Sequence, residues 1–165
     1  MMSNTICNIE SGTCGKCQSA CERKPGWFKP GEVEAVAEYL GLTLPELFAS
    51  KLAVDWWVGG GKDYSDIYTL SPALIGEHAG IEFPGDPRGQ CVFFKDGRCE
   101  IHPVKPFECA ESLPCDDSDG RNLHKEAADA WNTEENQGQI RVLLGRQPES
   151  AEFEGGGMFG GLFGF

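Results

Sequence analysis

The sequence predicts a small α+β domain, mainly α, that contains a β-hairpin and is stapled by a cysteine-ligated metal site. Three observations predict it: cysteines in two separate groups, apolar residues at helical spacing between the groups, and an Asp-Gly turn within the second group. A length of 165 residues suffices for one apolar core. We assign residues 1–147 to the cysteine-cluster metal-binding domain and residues 148–165 to a flexible linker and a Gly/Phe-rich tail.

Two helices that pack as a hairpin are predicted after the first cysteine group. The first ends at Gly41, and the second starts with a capping box of Thr43 and Glu46, with Pro45 in its first turn. Apolar residues line one face of each helix: Val33, Val36, Ala37 and Leu40 in the first, and Leu44, Leu47, Phe48 and Leu52 in the second.

Residues 53–90 are predicted to be irregular, because glycine, proline and aromatic residues alternate there without a sustained period. Gly59 to Gly61 form a flexible turn in this interpretation. Trp56 and Trp57 are expected to be partly buried, since two exposed neighbouring indoles would form an apolar patch.

The stretch "CVFFKDGRCEI" predicts a β-hairpin that turns at its Asp-Gly pair. A two-residue loop would pair Phe94 with Cys99 and put Cys91 on the opposite face. A three-residue loop would pair Phe93 with Cys99, and both thiols would then share a face. If one site uses both thiols, we predict the three-residue loop.

The C-terminal third predicts a packing helix that begins at about Leu123, followed by a weaker apolar pattern for a short helix or strand. The apolar residues are Leu123, Ala127, Ala130 and Trp131 in the helix, and Ile140, Val142, Leu143 and Leu144 in the weaker pattern.

The eight cysteines are the candidate metal ligands. In a reducing compartment, clustered thiols bind metals or react more often than they form disulfides. The spacing Cys14-x2-Cys17-x3-Cys21 lets three sulfurs converge on one centre from a short loop. The candidates are Cys7, Cys14, Cys17 and Cys21 in the first group and Cys91, Cys99, Cys109 and Cys115 in the second.

The spacing favours an iron–sulfur cluster, of the 4Fe-4S type, over zinc. Structural zinc loops usually present paired two-cysteine knuckles, and only the first group contains one. A four-iron cluster tolerates irregular spacing because its corners lie several ångström apart. Zinc remains the alternative.

The histidines and the rest of the sequence add little chemistry. His102 is a ligand, an outer-shell donor or a turn histidine beside Pro103, whereas His78 and His124 are expected at the surface. No pattern specifies a catalytic nucleophile or a phosphate-binding loop, so we predict no catalytic residues.

Charge and hydropathy limit the partners. The net charge of −12 repels phosphate backbones and anionic headgroups, so nucleic acid is not an expected partner. No apolar run approaches the roughly 20 residues that cross a bilayer, and no secretory signal is recognisable, so we expect a cytoplasmic protein. Residues 155–165, "GGGMFGGLFGF", are either disordered or a peptide whose aromatic side chains dock into a protein partner.

Four stretches carry a family resemblance: "CGKCQSAC", "PGWFKPGEVEAVAEYLGLTLPELF", "GQCVFFKDGRCEIHPVKPFEC" and "SLPC". Over residues 14–115 the sequence resembles the YkgJ-like cysteine-cluster family, described as a zinc- or iron-chelating domain. The resemblance implies metal chelation by an iron–sulfur cluster, and a related domain occurs in flagellin lysine methylases. It carries over to Cys14, Cys17, Cys21, Cys91, Cys99 and Cys109.

Two hypotheses follow. In the first, both cysteine groups meet over the helical core and hold at least one iron–sulfur cluster, and the protein is an electron-transfer or accessory subunit of a larger enzyme. In the second, zinc closes the fold of a non-redox adaptor, and the tail binds the partner. Methyl transfer, by analogy with the methylases, is a third interpretation with no legible cofactor pocket.

Overall fold

Five α-helices and two antiparallel hairpins make up the part of the chain that the structure, a computed structural model, describes: residues 21–23, 25–111 and 122–145. Residues 21–23 are also helical. The prediction of a mainly helical α+β domain is confirmed. In chain order the elements are α1 (Glu32–Leu40), α2 (Leu44–Lys51), β1 (Leu52–Trp57), β2 (Ile67–Pro72), β3 (Phe94–Lys95), β4 (Arg98–Cys99), α3 (Phe107–Glu111), α4 (Leu123–Trp131) and α5 (Glu134–Leu143), with short 3-10 turns at Lys62–Tyr64 and His102–Val104.

Local capping chemistry sets the ends of α1 and α2. Gly41, with φ of 69°, ends α1 in the left-handed conformation that favours glycine. The predicted capping box starts α2, because the Thr43 hydroxyl accepts from the Glu46 N–H and the Glu46 carboxylate accepts from the Thr43 N–H. The prediction that Leu52 belongs to this helix is wrong, since the chain becomes extended at Leu52 and begins β1.

The prediction of irregular structure over residues 53–90 is wrong in part. Strands β1 and β2 pair antiparallel from Leu52↔Pro72 to Trp57↔Ile67, and residues 59–61 lie in the loop between them. Most residues of both strands are buried, on both faces and including the polar residues Asp55, Thr69 and Ser71, so neither strand has one buried apolar face and one exposed polar face. Partial burial of Trp56 and Trp57 is confirmed.

Both outer edges of this two-stranded sheet are covered. Val54 in β1 exchanges backbone hydrogen bonds with the segment around Ile81 and Phe83. On the edge of β2, the Gln137 side-chain amide accepts from the Tyr68 N–H and donates to the Tyr68 carbonyl, each at 2.9 Å. Helix α5 therefore satisfies backbone groups of β2 that would otherwise need another partner.

The second hairpin adopts the shorter loop. Phe94 pairs with Cys99, and both turn residues, Asp96 and Gly97, have positive φ as a two-residue type I′ turn requires. The predicted three-residue loop is therefore wrong. A two-residue loop was expected to put Cys91 and Cys99 on opposite faces of the hairpin. This expectation does not apply either. The Phe94 N–H donates to the Cys91 carbonyl in a turn, so Cys91 lies outside the strand and its alternation.

Helices α4 and α5 complete the core. The Asn122 side chain caps α4, and the Trp131 indole at its end is fully buried and donates from Nε1 to the Phe28 carbonyl at 2.7 Å. The weaker apolar pattern is a helix, α5, of which Ile140 is fully buried and Val142 is exposed. No helix in the described ranges is both long and apolar enough for a membrane span.

Candidate metal centre

Four of the eight predicted ligands lie in the described residues, on separate stretches of chain. Cys21 is in the helical residues 21–23, Cys91 precedes β3, Cys99 ends β4 and Cys109 lies in α3. Cys91 is buried and the other three are partly buried. The remaining predicted ligands, Cys7, Cys14, Cys17 and Cys115, lie outside the described residues, so their role stays a prediction.

Backbone hydrogen bonds bring the two cysteine groups together. The Cys91 N–H donates to the Cys21 carbonyl at 2.8 Å, and the Gly89 N–H donates to the Arg23 carbonyl at 2.8 Å. The two bonds join residues 21–23 and 89–91 as antiparallel segments. The end of the first group therefore lies beside the start of the second.

Cys109 joins them through the extended residues 25–28. The Glu108 N–H donates to the Trp27 carbonyl at 3.2 Å, and the Gly26 N–H donates to the Cys109 sulfur. A methyl group on Gly26 would lie 2.9 Å from the Cys109 Sγ, closer than real Cβ atoms approach other atoms. Only glycine therefore permits this approach without a shift of the backbone or of α3.

A carboxylate from α1 holds the start of α3. Glu32 Oε2 accepts from the Phe107 N–H at 3.1 Å and from the Lys29 N–H at 2.5 Å. The Lys29 ammonium lies 3.8 Å from the centre of the Phe107 ring. These contacts fix the short helix that carries Cys109 against the segment that contains Gly26.

Amide groups point at the other two sulfurs of the second group. The Phe93 N–H donates to the Cys91 sulfur, the Phe94 N–H is shared between the carbonyl and the sulfur of Cys91, and the Ile101 N–H donates to the Cys99 sulfur. Such hydrogen bonds favour the thiolate over the thiol. Each of these sulfurs therefore has a fixed orientation and partial support for the negative charge that a metal ligand carries.

The described thiols influence each other's ionisation. The pKa of Cys91 is raised to about 12, mainly by burial; the charges of Cys21 and Cys99 contribute to the rise, and the N–H groups of Phe93 and Phe94 oppose it. Burial also raises the pKa of Cys109 well above its ordinary value, and Cys91, Cys21 and Cys99 add to the effect. Burial likewise raises the pKa of Cys99, opposed by the Ile101 N–H and the Lys105 ammonium.

This environment fits a bound cation. Cys91, Cys99 and Cys109 remain protonated at neutral pH on their own, because their thiolates would be desolvated and would repel each other. A metal that replaces the protons removes both penalties. Thiolates are the ligands that zinc and iron–sulfur clusters prefer, so the donor set suits either.

The described thiols do not by themselves form a closed site for one ion. Within the described ranges, no group of three or more His, Cys, Asp or Glu side chains is arranged so that it could hold a metal ion. A tetrahedral zinc with Zn–S bonds of 2.3 Å would bring its sulfurs within about 3.8 Å of each other. The four thiols thus share a region without the geometry of a finished zinc cage.

The two histidines predicted at the surface, His78 and His124, are partly exposed and also pack against neighbouring rings. His124 packs its ring 4.3 Å from the Trp27 ring, and its Nδ1 lies 2.5 Å from Oε1 of the buried Glu108. His78 is half-buried and packs edge-on against Phe83. His102 begins a 3-10 turn and is partly buried, so its predicted role as ligand, outer-shell donor or turn residue stays a prediction.

Sequence reasoning missed the supporting residues Gly26, Glu32 and Glu108. Each acts across a large sequence separation, and no local pattern marks it. The adjacency of Glu108 to Cys109 in "FEC" is the only signal that the sequence offers for any of the three.

Comparison with protein-family models, with curated proteins and with solved structures finds no match to this chain. The resemblance to the YkgJ-like cysteine-cluster family therefore stays a prediction, carried by the motifs alone.

Proposed function

We propose that this protein holds an iron–sulfur cluster with Cys21, Cys91, Cys99 and Cys109, and that it serves a larger enzyme as an electron-transfer or accessory subunit. Cys7, Cys14, Cys17 and Cys115 are further candidate ligands. One observation carries the proposal: the Cys91 N–H donates to the Cys21 carbonyl at 2.8 Å, so the end of the first cysteine group lies beside the start of the second.

Two features of the thiols support a cation at this place. Burial and mutual repulsion make three of them poor thiolates on their own, whereas amide N–H groups are already directed at their sulfurs. The first feature creates a need for positive charge, and the second prepares the sulfurs to bind it.

The spacing of the thiols favours a multi-iron cluster over a single zinc ion. The four side chains interact electrostatically but do not form a site for one ion among the described residues. A cluster has ligand positions several ångström apart, which suits thiols that share a region without forming one cage. The iron–sulfur interpretation is therefore preferred to a zinc-stapled adaptor.

The chain's own residues would tune such a centre. When bound, an iron–sulfur cluster supplies reversible electron transfer at a potential set by its surroundings. Amides of Gly26, Phe93, Phe94 and Ile101 donate to the sulfurs and withdraw charge from them. Burial of Cys91 limits access of water. Lys105 adds positive charge near Cys99.

Metal analysis under anaerobic conditions tests the proposal. We expect protein purified without oxygen to be brown, to contain iron and acid-labile sulfide in equal amounts, and to lose visible absorption on exposure to air. Colourless protein with stoichiometric zinc would select the zinc-stapled adaptor instead. Protein with neither metal would contradict both interpretations.

A further inference from the structure

A cleft of about 450 Å³ lies beside Trp27, separate from the thiols. Its walls combine aromatic rings with carboxylates, and its lining among the described residues includes no lysine or arginine. A volume of this size accommodates a small organic molecule. The aromatic and ionisable residues that line the cleft are Trp27, Trp56, Trp57, Asp55, Asp86 and His124.

The aromatic walls face in different directions. The ring planes of Trp27 and Trp57 stand at 88° with centroids 6.5 Å apart, and the His124 ring lies 4.3 Å from Trp27. Trp56 and Trp57 remain partly exposed, so a molecule in the cleft can reach their rings. Gly60 packs directly under the Trp57 indole, where a larger residue would displace the ring. An indole face carries negative potential and its edge carries positive potential, so a cation in the cleft would lie over the faces of the partly exposed Trp56 and Trp57 rings.

A buried carboxylate supplies the charge. Asp55 is only 6% exposed, and its two oxygens accept from Trp27 Nε1 at 2.8 Å and from the Trp56 N–H at 2.9 Å. Asp86 pairs with Arg88 at 2.8 Å and contributes less. His124 pairs with Glu108, so these two together add no net positive charge to the wall. Among the described residues, the ionisable side chains that line the cleft are therefore the carboxylates of Asp55 and Asp86 and the imidazole of His124.

We propose that this cleft binds a methylated ammonium cation of the choline type. Such a cation has no N–H to satisfy, which suits a carboxylate whose oxygens already accept hydrogen bonds. It is attracted to indole faces more strongly than to any other ring. A hard metal ion would need several oxygen ligands, and the aromatic walls do not provide them.

Choline and 3,3-dimethyl-1-butanol have the same shape, but only choline is charged. A comparison of their binding therefore measures the contribution of the charge. We expect choline to shift the indole N–H resonances of Trp27 and Trp57 saturably in the full-length protein as purified. The analogue should bind at least tenfold more weakly. The Trp131 indole, buried and bonded to the Phe28 carbonyl, is the internal control and should not move. Equal binding of the two compounds, or no saturable shift, overturns the proposal.

Variants test the assigned residues. Asp55→Asn keeps an acceptor for Trp27 but removes the charge, and we expect about tenfold weaker choline binding. Asp129→Asn removes an exposed carboxylate on α4, outside the cleft lining, and should bind choline as the unsubstituted protein does. Trp57→Leu should weaken binding even if Asp55→Asn fails to fold. Undiminished binding in Trp57→Leu or in folded Asp55→Asn contradicts the assignment.

A further experiment distinguishes two sources of the cation, a lipid headgroup and a free small molecule. Co-sedimentation with phosphatidylcholine vesicles that choline competes away would identify a lipid headgroup as the ligand. Binding of choline without co-sedimentation would identify a free small molecule. Either result keeps the proposed chemistry, and absence of both removes it.

Discussion

The backbone amide of Cys91 donates a hydrogen bond to the carbonyl oxygen of Cys21 across 2.8 Å. These residues are about 70 positions apart and belong to different cysteine groups. Closing a loop of this length costs conformational entropy, although the cost grows slowly with length. A metal that binds sulfurs from both sides of this contact would add a direct link across the closed loop, and that link would help to offset the entropy.

Replacing Gly26 with alanine should weaken the metal site. The new methyl group would meet the Cys109 Sγ and the Glu108 Cβ, each at 2.9 Å, so α3 or the Gly26 backbone must move. We expect Gly26→Ala to lower the iron bound per chain at least several-fold. The matched control is Gly138→Ala in α5, where a methyl group meets nothing within 4 Å. That change should keep the iron and stabilise the helix by up to about 1 kcal/mol. Equal iron in both variants would contradict the role given to Gly26.

Removing the Glu32 carboxylate should loosen the helix that carries Cys109. Glu32→Ala leaves the Phe107 and Lys29 N–H groups without their acceptor, and we expect a loss of about 1 kcal/mol in the free energy of unfolding. Glu32→Gln retains an acceptor oxygen and should lose less. Urea unfolding measures both. Glu38→Ala, an exposed acidic residue of α1, should change stability by less than about 0.5 kcal/mol. A loss in Glu38→Ala as large as that in Glu32→Ala would argue against the specific contact.

Alkaline pH should destabilise the metal-free protein. Burial raises the pKa of Cys91 from 9.0 to about 12, so the thiol is protonated in both states below about pH 9 and the full stability is present there. Above that pH the unfolded chain ionises first, and stability is lost as pH rises towards 12. Three pKa units correspond to a loss on the order of 4 kcal/mol. The measurement is urea unfolding across this range, with Cys91→Ala as the reference. An identical decline in Cys91→Ala would rule out this thiol as a cause.

Deleting residues 155–165 tests the predicted docking tail, which lies outside the described residues. If the tail's Phe side chains anchor a partner, deletion should abolish co-purification of that partner while iron content stays unchanged. A variant with the three tail Phe residues, Phe159, Phe163 and Phe165, changed to Ser keeps the length and should behave like the deletion. Unaltered co-purification in both variants would remove the tail from the account.

Elements defined by local chemistry could be predicted from the sequence. The capping box at Thr43 and the glycine stop at Gly41 set the ends of two helices through contacts between near neighbours. The β1–β2 hairpin escaped prediction because both faces of its strands are buried, polar Asp55, Thr69 and Ser71 included, so the strands lack the pattern of an apolar face and an exposed polar face. The register of the second hairpin was predicted wrongly because strand alternation was extended to Cys91, which lies in a turn.

The ligand residues of the candidate site could be predicted from the sequence, but the contacts that position them could not. Clustered cysteines indicated thiol ligation, whereas the approach of Gly26 to Cys109 depends on contacts between distant segments. The Glu32 contact to Phe107 likewise joins residues that only the folded chain brings together. Spacing alone carries no information on such contacts, so sequence reasoning could name ligands but not what positions them.

Iron content of single-cysteine variants tests most directly whether both cysteine groups serve one centre. We predict that Cys21→Ala and Cys91→Ala each lose most of the iron and sulfide found in the unsubstituted protein, because each removes a ligand of the same cluster. The control is Val36→Ala, which creates a cavity in the fully buried face of α1. It should lower the free energy of unfolding by about 2 kcal/mol but keep the iron. If each cysteine variant instead retained half of the iron, the two groups would hold separate centres, and the account of a shared cluster would be wrong.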